Sequence, residues 1–248
     1  MKVSIITATF NSAGTIRDTL ACVQSQEHPD IEHIIIDGQS GDQTLSIVSE
    51  FPHVAAVVSE KDHGIYDAMN KGIARATGEV IGILNSDDLY VDQRVIAEVA
   101  AEFEDPAVEA TYADLQYVHQ EDISKVVRTW KTGLYNKKKF YYGWMPPHPT
   151  FFVRRKVYER VGLFDTSLRS AADYEMMLRI LLKHEAHTRY IPRVIVKMRS
   201  GGMSNASFRN RLKANQEDRI AWKLNELKPY FFTLYAKPIR KISQFIIK

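Results

Sequence analysis

The chain has 248 residues, of which 45% are hydrophobic and 25% are charged, a composition typical of a folded protein with a full core. Its single cysteine, Cys22, excludes an internal disulfide and a thiolate metal cluster and favours a reducing compartment. We find no signal-peptide pattern and no run of about 18 apolar residues. We therefore expect a cytoplasmic protein without a membrane-spanning helix.

Charge is distributed very unevenly along the chain. Residues 1–122 carry 22 acidic and 6 basic residues, whereas residues 123–248 carry 8 acidic and 27 basic residues. The stretch 123–158 contains no acid, but nine basic and nine aromatic residues. This asymmetry, hidden in a net charge of +3, predicts that the C-terminal half faces an anionic surface or polymer.

Strands and helices are predicted to alternate four times over the first hundred residues. The predicted strands lie at 3–10, 31–37, 54–60 and 79–85, and the predicted helices at 13–26, 44–51, 65–76 and 92–103. Because the strands are continuously apolar rather than alternating, we expect a parallel sheet covered by helices on both faces. The predicted fold class is α/β with a mostly parallel, Rossmann-like central sheet.

Acidic residues follow three of the predicted strands. Asp37 ends the second strand, Asp62 follows the third, and Asp87 and Asp88 follow the fourth. Ligands of open parallel sheets bind at the carboxyl ends of the strands. A single Asp is equally well explained by a turn or a helix cap, but an adjacent pair favours a bound cation. Carboxylates suit Mg²⁺ or Mn²⁺, which complete their shells with water and phosphates, so we expect a nucleotide.

The common glycine-rich phosphate motifs are absent from the sequence. Gly14 stands alone where a dinucleotide dehydrogenase would carry G-x-G-x-x-G, and no P-loop occurs. We therefore expect a metal, rather than a glycine cradle, to hold the phosphates.

Five segments together resemble one family: "VSIITATFN", "IIIDGQSGDQT", "SEKDHGIYDAMNKGIARATGEVIGILNSDD", "HPTFFVRRKVYERVGLFD" and "AADYEMMLRI". They are similar to family 2 glycosyltransferases of the GT-A fold, especially small bacterial members that build lipopolysaccharide and other surface polysaccharides. The resemblance implies a GT-A domain over 1–204, with a nucleotide-sugar-binding half (1–122) and an acceptor-binding half (123–204). Residues 205–248 are expected to form a helical C-terminal extension.

The resemblance also implies a role for individual residues. The donor, expected to be a UDP-sugar, would be held by Thr7, Thr9, Phe10, Asp37, Asp62, Asn70, Lys71 and Asp87. Asp88 would bind Mn²⁺ or Mg²⁺, although the first position of the family's D-x-D-like signature is Asn85 here.

The same resemblance implies an inverting transfer in which Asp173 is the general base, with Glu175 as its local competitor. His148 is a further candidate near the acceptor or the metal. From the residues alone, Asp173 could equally serve the first turn of a helix, and a lone His is more often packed than catalytic. A nucleotidyltransferase that acts on sugar phosphates and a non-catalytic nucleotide-sugar-binding protein are the alternative functions.

The basic tail at 228–248 has five basic and five aromatic residues and no acid. Such a pattern is typical of a segment at an anionic membrane interface, and a helix packed on the domain or a dimer contact are the alternatives. No nucleic-acid partner is expected, because the acidic sheet edge would repel a phosphate polymer. We expect a soluble donor at the acidic half and a lipid-linked or polysaccharide acceptor at the basic half, with peripheral contact at the inner membrane face.

Overall fold

The computed structural model describes residues 1–201 and 208–242, with side chains described outside 208–214 and 238–242. The expected boundary between domain and extension, at residues 204 and 205, lies outside these ranges, as do the last six residues of the basic tail. None of the described helices is long and apolar enough to cross a membrane.

The strands within the described ranges form one sheet. They are β1 (Val3–Thr9), β2 (Ile31–Asp37), β3 (Val54–Ser59), β4 (Val80–Ile83), β5 (Asp88–Tyr90), β6 (Ala110–Val118), β7 (Val126–Trp130), β8 (Phe152–Arg154) and β9 (Thr188–Arg199). Their order across the sheet is β3-β2-β1-β4-β8-β6-β9-β5, and β7 pairs with Leu115–Val118 of β6, beyond the short pairing of β6 with β8.

Helices cover both faces of this sheet. They are α1 (Ile16–Gln24), α2 (Thr44–Ser49), α3 (Ile65–Arg75), α4 (Val95–Glu102), α5 (Lys137–Tyr141), α6 (Arg155–Val161), α7 (Ala172–Met177), α8 (Phe208–Leu224) and α9 (Thr233–Ile242). A 3₁₀ turn covers His148–Thr150, and a π-helix at Leu178–Lys183 continues α7. Apolar side chains of α3, α6 and α7 pack on one face, and those of α4 pack on the other.

The sheet has a parallel half and a mixed half. Strands β3, β2, β1 and β4 are parallel, as the sequence predicts for the first four strands. Beyond β4, strand β8 is antiparallel to both neighbours, β6 is parallel to β9, and β5 is antiparallel to β9. The predicted α/β class and GT-A-like central sheet are confirmed, and the mixed half is what the first hundred residues could not reveal.

Burial follows position in the sheet. Every residue of β1 is buried, because the strand has a neighbour on each side and helices on both faces. Strand β3 alternates between half-buried and exposed residues, since it is the edge strand. The continuously apolar "VAAVVS" therefore does not indicate complete burial.

The C-terminal helices pack on the domain. Trp222 of α8 is buried and its Nε1 donates to Tyr174 Oη of α7 at 2.9 Å. Lys237 of α9 forms an ion pair with Asp218 at 2.8 Å. A Cβ on Gly143 would stand 2.4 Å from the backbone nitrogen of Lys237, so this glycine lets α9 approach closely. The described part of the tail therefore packs on the domain through α9.

The contact between α3 and β1 depends on Gly72. A Cβ at this position would stand 2.3 Å from Cγ2 of Ile6, a stiff β-branched side chain that is fully buried. We expect Gly72→Ala to lower the free energy of unfolding by about 1–3 kcal/mol, because the core is overpacked. Helix propensity alone would raise the free energy of unfolding by about 1 kcal/mol. The sign of the measured change therefore shows which of the two effects is larger.

Urea unfolding measures this difference, and Gly14→Ala is the matched control. A Cβ on Gly14 meets nothing within 4 Å, so the control should change stability by less than about 0.5 kcal/mol. A Gly72→Ala protein as stable as the control would show that α3 does not need this close approach.

Candidate active site

The loops that follow β1 and β2 are tied together at the carboxyl edge of the sheet. The backbone N–H of Asn11 donates to Ser40 Oγ at 2.8 Å, and the N–H of Gly41 donates to Asn11 Oδ1 at 2.9 Å. Asn11 and Gln39 both have a positive φ, at 49° and 63°. Left-handed non-glycine residues are uncommon, so these cross-links hold the two loops in one defined shape.

Asp37 lies fully buried at the end of β2. Its Oδ1 accepts a hydrogen bond from Ser40 Oγ at 2.5 Å, and its Oδ2 accepts from the Ser40 N–H at 3.0 Å and from Ser59 Oγ at 2.6 Å. This network fixes the carboxylate next to Thr9, its partner in the register of β1 and β2.

Phe10 and Asp62 meet above this edge. The Phe10 ring is 61% exposed, which is high for an aromatic side chain. A Cβ on Gly38 would stand 2.5 Å from Asp62 Oδ2 and 3.4 Å from Phe10 Cδ2, so the glycine lies between them. The hydroxyl of Thr9 is buried and has no hydrogen-bond partner among the described residues. The structure therefore brings together Thr9, Phe10, Asp37 and Asp62.

The acid pair occupies a tight turn between β4 and β5. The N–H of Asp88 donates to the Asn85 carbonyl at 3.0 Å, and Asn85 Nδ2 donates to Asp88 Oδ2 at 3.0 Å. Ser86 of this turn is 2.9 Å from Ser12 in the loop after β1, measured between the hydroxyl oxygens. The turn is thus joined directly to the cluster around Phe10.

Electrostatics at this turn are unfavourable without a cation. Burial raises the pKa of Asp88 well above its ordinary value, and the neighbouring Asp87 raises it further. Burial also raises the pKa of Asp87, and Arg199 opposes this rise. Arg199 donates from Nη1 to the Asp87 carbonyl at 3.0 Å and pairs with Asp18. One guanidinium therefore offsets part of the charge of one buried and one half-buried carboxyl.

Two oxygens of the turn fit a hard divalent cation. Asp88 Oδ1 and Asn85 Oδ1 are buried and, within the described part of the chain, have no hydrogen-bond partner. No group of three or more His, Cys, Asp or Glu residues arranged to hold a metal is found in those ranges. A cation here would take few protein ligands and fill its shell with water and phosphate oxygens, as Mg²⁺ commonly does.

Asp173 lies in the first turn of α7, in contact with α3. Tyr66 Oη donates to Asp173 Oδ1 at 3.2 Å, and burial and this carboxylate raise the pKa of Tyr66, so the phenol remains a donor. The rings of Tyr66 and His148 both pack on Phe164, with centroids 5.6 Å away. Burial lowers the pKa of His148, and Asp173 opposes this shift. The predicted base and His148 are thus brought together.

One cross-strand row connects the two parts of the site. Asp88 of β5 and Tyr117 of β6 both pair with Met198 of β9, and Tyr117 pairs with Arg128 of β7. Residues paired in this way point to the same face of a sheet. The Arg128 guanidinium lies 3.7 Å from the centre of the Tyr117 ring. Burial raises the pKa of Tyr117, Arg128 opposes this rise, and the carboxylates of Asp88 and Asp173 add to it, so the phenol lies within the electrostatic field of both.

Two residues predicted to bind the donor, Asn70 and Lys71, make contacts within the protein. Asn70 uses its amide on the backbone of Phe164, donating from Nδ2 and accepting at Oδ1, each at 2.9 Å. Lys71 Nζ donates to the Lys61 carbonyl at 2.9 Å and pairs with Glu60 at 3.1 Å. Both side chains connect α3 to neighbouring loops.

Thr7 and Glu175 also face inward. Thr7 is fully buried, and its hydroxyl lies 3.0 Å from Nε2 of His33. Glu175 is 3% exposed and accepts hydrogen bonds from Nε and Nη2 of Arg179 and from Asn225 Nδ2. Both of its carboxylate oxygens are thus engaged within the protein, and Asp173 stays the predicted base on α7.

Three residues of the site escaped the sequence analysis: Tyr66, Tyr117 and Arg199. Tyr66 lies within "HGIYDAMNKG", where the residues predicted to bind the donor are Asn70 and Lys71. Tyr117 and Arg199 belong to the mixed half of the sheet, and only the pairing of β5, β6 and β9 places them beside Asp88. No sequence motif signals either residue.

Comparison with known proteins gives consistent matches. The family model described as "Glycosyl transferase family 2" matches residues 4–162. An uncharacterized glycosyltransferase of Mycobacterium tuberculosis is 32% identical over 189 residues, covering 75% of this chain and 71% of the relative. A glycosyltransferase of Mycobacterium bovis named for PGL/p-HBAD biosynthesis is 28% identical over 208 residues, covering 82% of this chain and 78% of its own.

Solved structures share the fold. S. aureus TarS 1-349 in complex with UDP-GlcNAc has a TM-score of 0.70 at 17% identity, covering 99% of this chain and 72% of that chain. The mannosyltransferase PcManGT from Pyrobaculum calidifontis, in complex with GDP-Man and Mn²⁺, has a TM-score of 0.67 at 21% identity. That match covers 95% of this chain and 68% of the mannosyltransferase.

The buried His33 that holds Thr7 predicts a pH dependence of stability. Burial, with a contribution from His53, lowers the pKa of His33 from 6.5 to about 3. Below pH 6.5 His33 binds a proton in the unfolded chain but stays neutral in the folded chain until the pH nears 3. The free energy of unfolding therefore falls as the pH falls. We expect this site to cost up to about 1.4 kcal/mol per pH unit until the pH nears 3.

Urea unfolding of wild type and His33→Gln between pH about 7 and about 5 measures this contribution. The variant should lose stability less steeply with falling pH, even if it is less stable overall. His63→Gln, which removes an exposed histidine, is the control. Parallel curves for wild type and His33→Gln would contradict the expectation.

Proposed function

This chain belongs to glycosyl transferase family 2, and from that membership we propose that it transfers a sugar from a UDP-sugar to a hydroxyl group, with inversion at the anomeric carbon. The acceptor that we propose is a lipid-linked glycan or polysaccharide of bacterial cell-surface biosynthesis, such as that of lipopolysaccharide. The enzyme would act in the cytoplasm as a peripheral protein at the inner face of the membrane. The relative named for PGL/p-HBAD biosynthesis and the neighbour with bound UDP-GlcNAc support this choice.

One observation carries the proposal most directly. The turn between β4 and β5 holds two buried oxygens, Asp88 Oδ1 and Asn85 Oδ1, that lack partners within the described residues. A buried acceptor without a donor costs free energy, so such atoms need an explanation such as a ligand or an ion. Asp88 and Asn85 would hold Mn²⁺ or Mg²⁺, and the cation would neutralise charge on the departing nucleoside diphosphate.

The cluster at the ends of β1–β3 would bind the nucleoside. Phe10 offers an exposed ring for stacking on the base, and the Thr9 hydroxyl lacks a partner within the described residues. Asp37 is fixed by Ser40 and Ser59, and its carboxylate can accept the N3–H of uracil. Asp62 and Asp87 flank this cluster and would contact the ribose and the remaining donor groups.

Asp173 would act as the general base. Its carboxylate takes the proton of the acceptor hydroxyl as that oxygen attacks the anomeric carbon, a contribution of about 10²- to 10⁴-fold in rate. Tyr66 holds Oδ1 by its hydrogen bond, so Oδ2 is the oxygen that would receive the proton. Burial keeps His148 neutral next to this carboxylate, where the imidazole can bind the acceptor without cancelling the charge of the base.

Nucleotide binding tests the donor site. Calorimetry with UDP, GDP and dTDP, with and without Mn²⁺, should show metal-dependent binding of UDP to the wild type. Asp88→Ala should weaken it by more than about 100-fold, because even a residue behind a metal ligand contributes about 10- to 100-fold. A panel of UDP-sugars and soluble acceptors then tests transfer.

Asp30→Ala is the matched control, because this exposed aspartate precedes β2 at the opposite edge of the sheet. Preferential binding of GDP would correct the donor nucleotide. If no nucleotide bound under any condition, the proposed activity would lose its donor site. Release of pyrophosphate from a nucleoside triphosphate and a sugar phosphate would favour a nucleotidyltransferase instead.

Tyr66→Phe tests the support of the base. The carboxylate of Asp173 loses the hydrogen bond that positions it, so kcat should fall by about tenfold. The KM for the donor should stay unchanged. Both constants are measured by steady-state kinetics at saturating metal.

Tyr158→Phe is the control for this variant, since the Tyr158 ring also packs on Phe164, with ring centroids 6.5 Å apart. An equal loss of kcat in Tyr66→Phe and Tyr158→Phe would mean that Tyr66 serves only packing.

A further inference from the structure

An exposed aromatic cluster projects from the basic half of the molecule. Its members, here called the aromatic ridge, are Tyr142, Tyr230, Phe231 and Phe232. Phe231 is 91% exposed, and Tyr142 and Tyr230 are about half exposed, at 51% and 49%. Isolated exposed apolar residues are common, but contiguous ones mark interaction sites.

The ridge is rigidly mounted. The ring of Tyr141 lies 5.0 Å from that of Tyr230 and 5.2 Å from that of the buried Trp222, measured between centroids. Thr233 Oγ1 donates to the Tyr141 carbonyl at 2.7 Å. The residues on either side of Phe231, Tyr230 and Thr233, are therefore held in place by Tyr141, and this arrangement leaves the Phe231 ring exposed.

Lysines adjoin the ridge residues along the chain. Helix α5, which contains Lys137, Lys138 and Lys139, immediately precedes Tyr142, and the exposed Lys228 immediately precedes the segment of the other ridge residues. Lys137 pairs with Glu185, whereas Lys138 is exposed to solvent. No acidic residue occurs in the sequence from 123 to 158 or from 228 to 248.

We propose that the aromatic ridge and the lysines of α5 form a membrane-binding surface that inserts Phe231 among the headgroups of an anionic phospholipid bilayer. Aromatic rings favour the interface between headgroups and acyl chains, and lysines are attracted to anionic headgroups. The inference deepens the proposed function by naming the surface that would meet a lipid-linked acceptor. Its physical basis is independent of catalysis.

A second copy of the chain is a poorer occupant. A symmetric dimer through this face would bring the α5 lysines of both copies together, because each residue meets its equivalent patch across a two-fold axis. Like charges across an interface are unfavourable, whereas a bilayer that contains anionic lipid offers the opposite charge.

The ridge is coupled mechanically to the helix of the candidate base. Trp222, which packs on Tyr141, also donates its indole N–H to Tyr174 Oη at 2.9 Å, and Tyr174 directly follows Asp173. Lys237 Nζ lies 3.6 Å from the centre of the Tyr174 ring. A protein bound through the ridge would therefore hold α7 at a fixed height above the lipid surface.

Vesicle co-sedimentation of the full chain tests the proposal. The wild type should bind phosphatidylcholine vesicles that contain about 30% phosphatidylglycerol more tightly than vesicles of phosphatidylcholine alone. Phe231→Ser should weaken binding by about tenfold on the anionic vesicles. Lys138→Gln should weaken it by about fivefold on the anionic vesicles only.

Val57→Ser is the matched control, because Val57 is 47% exposed on edge strand β3. It should bind vesicles as the wild type does. Each variant should bind UDP normally in calorimetry, which shows that the protein is folded and separates this test from that of the donor site. Absence of vesicle binding by the wild type overturns the proposal. So does a lipid-free dimer that Phe231→Ser converts to monomer while vesicle binding is unchanged.

Discussion

The burial of Asp88 is the constraint around which the site is arranged. A fully buried carboxyl next to a second acid is held near neutrality or must be matched by positive charge. Arg199 provides one positive group, and Oδ1 of both Asn85 and Asp88 is buried without a hydrogen-bond partner among the described residues. A cation bound at the turn between β4 and β5, as proposed above, would supply the further positive charge.

The rest of the site is rigid because hydrogen bonds use most of its polar groups. Ser40 ties Asp37 to the loop after β1, Ser12 ties that loop to the acidic turn, and Tyr66 ties α3 to Asp173. Sites that need accurate positioning gain from such preorganisation, since little reorganisation then accompanies reaction. The polar residues that the family pattern would assign to the donor fall into two groups. Thr9, Asp37 and Asp62 lie at the carboxyl edge of the sheet, whereas Thr7, Asn70 and Lys71 make contacts within the protein.

The parallel half and most of the site follow from the sequence, and the reason is physical. Strands β1–β4 follow one another in the chain and form one parallel block of the sheet in the order β3-β2-β1-β4. Periodicity and the rule of carboxyl-end binding therefore predict Asp37, Asp62 and the acid pair at one edge. Asn70 and Glu175 have the chemistry of ligands, but their environments use it for Phe164 and Arg179. Tyr117 and Arg199 depend on pairing between distant strands, which a local pattern does not encode.

The pairing of β5 with β9 has a consequence for how the enzyme is made. The Arg199–Asp87 bond joins residues 112 positions apart, and β5 is only three residues long. Contacts of such high sequence separation form late in folding, after the cost of closing a long loop. On the ribosome, the acidic turn therefore lacks its partner strand until β9 has been synthesised. A polypeptide that ends before β9 would lack Arg199, the guanidinium that offsets part of the charge of Asp87 and Asp88.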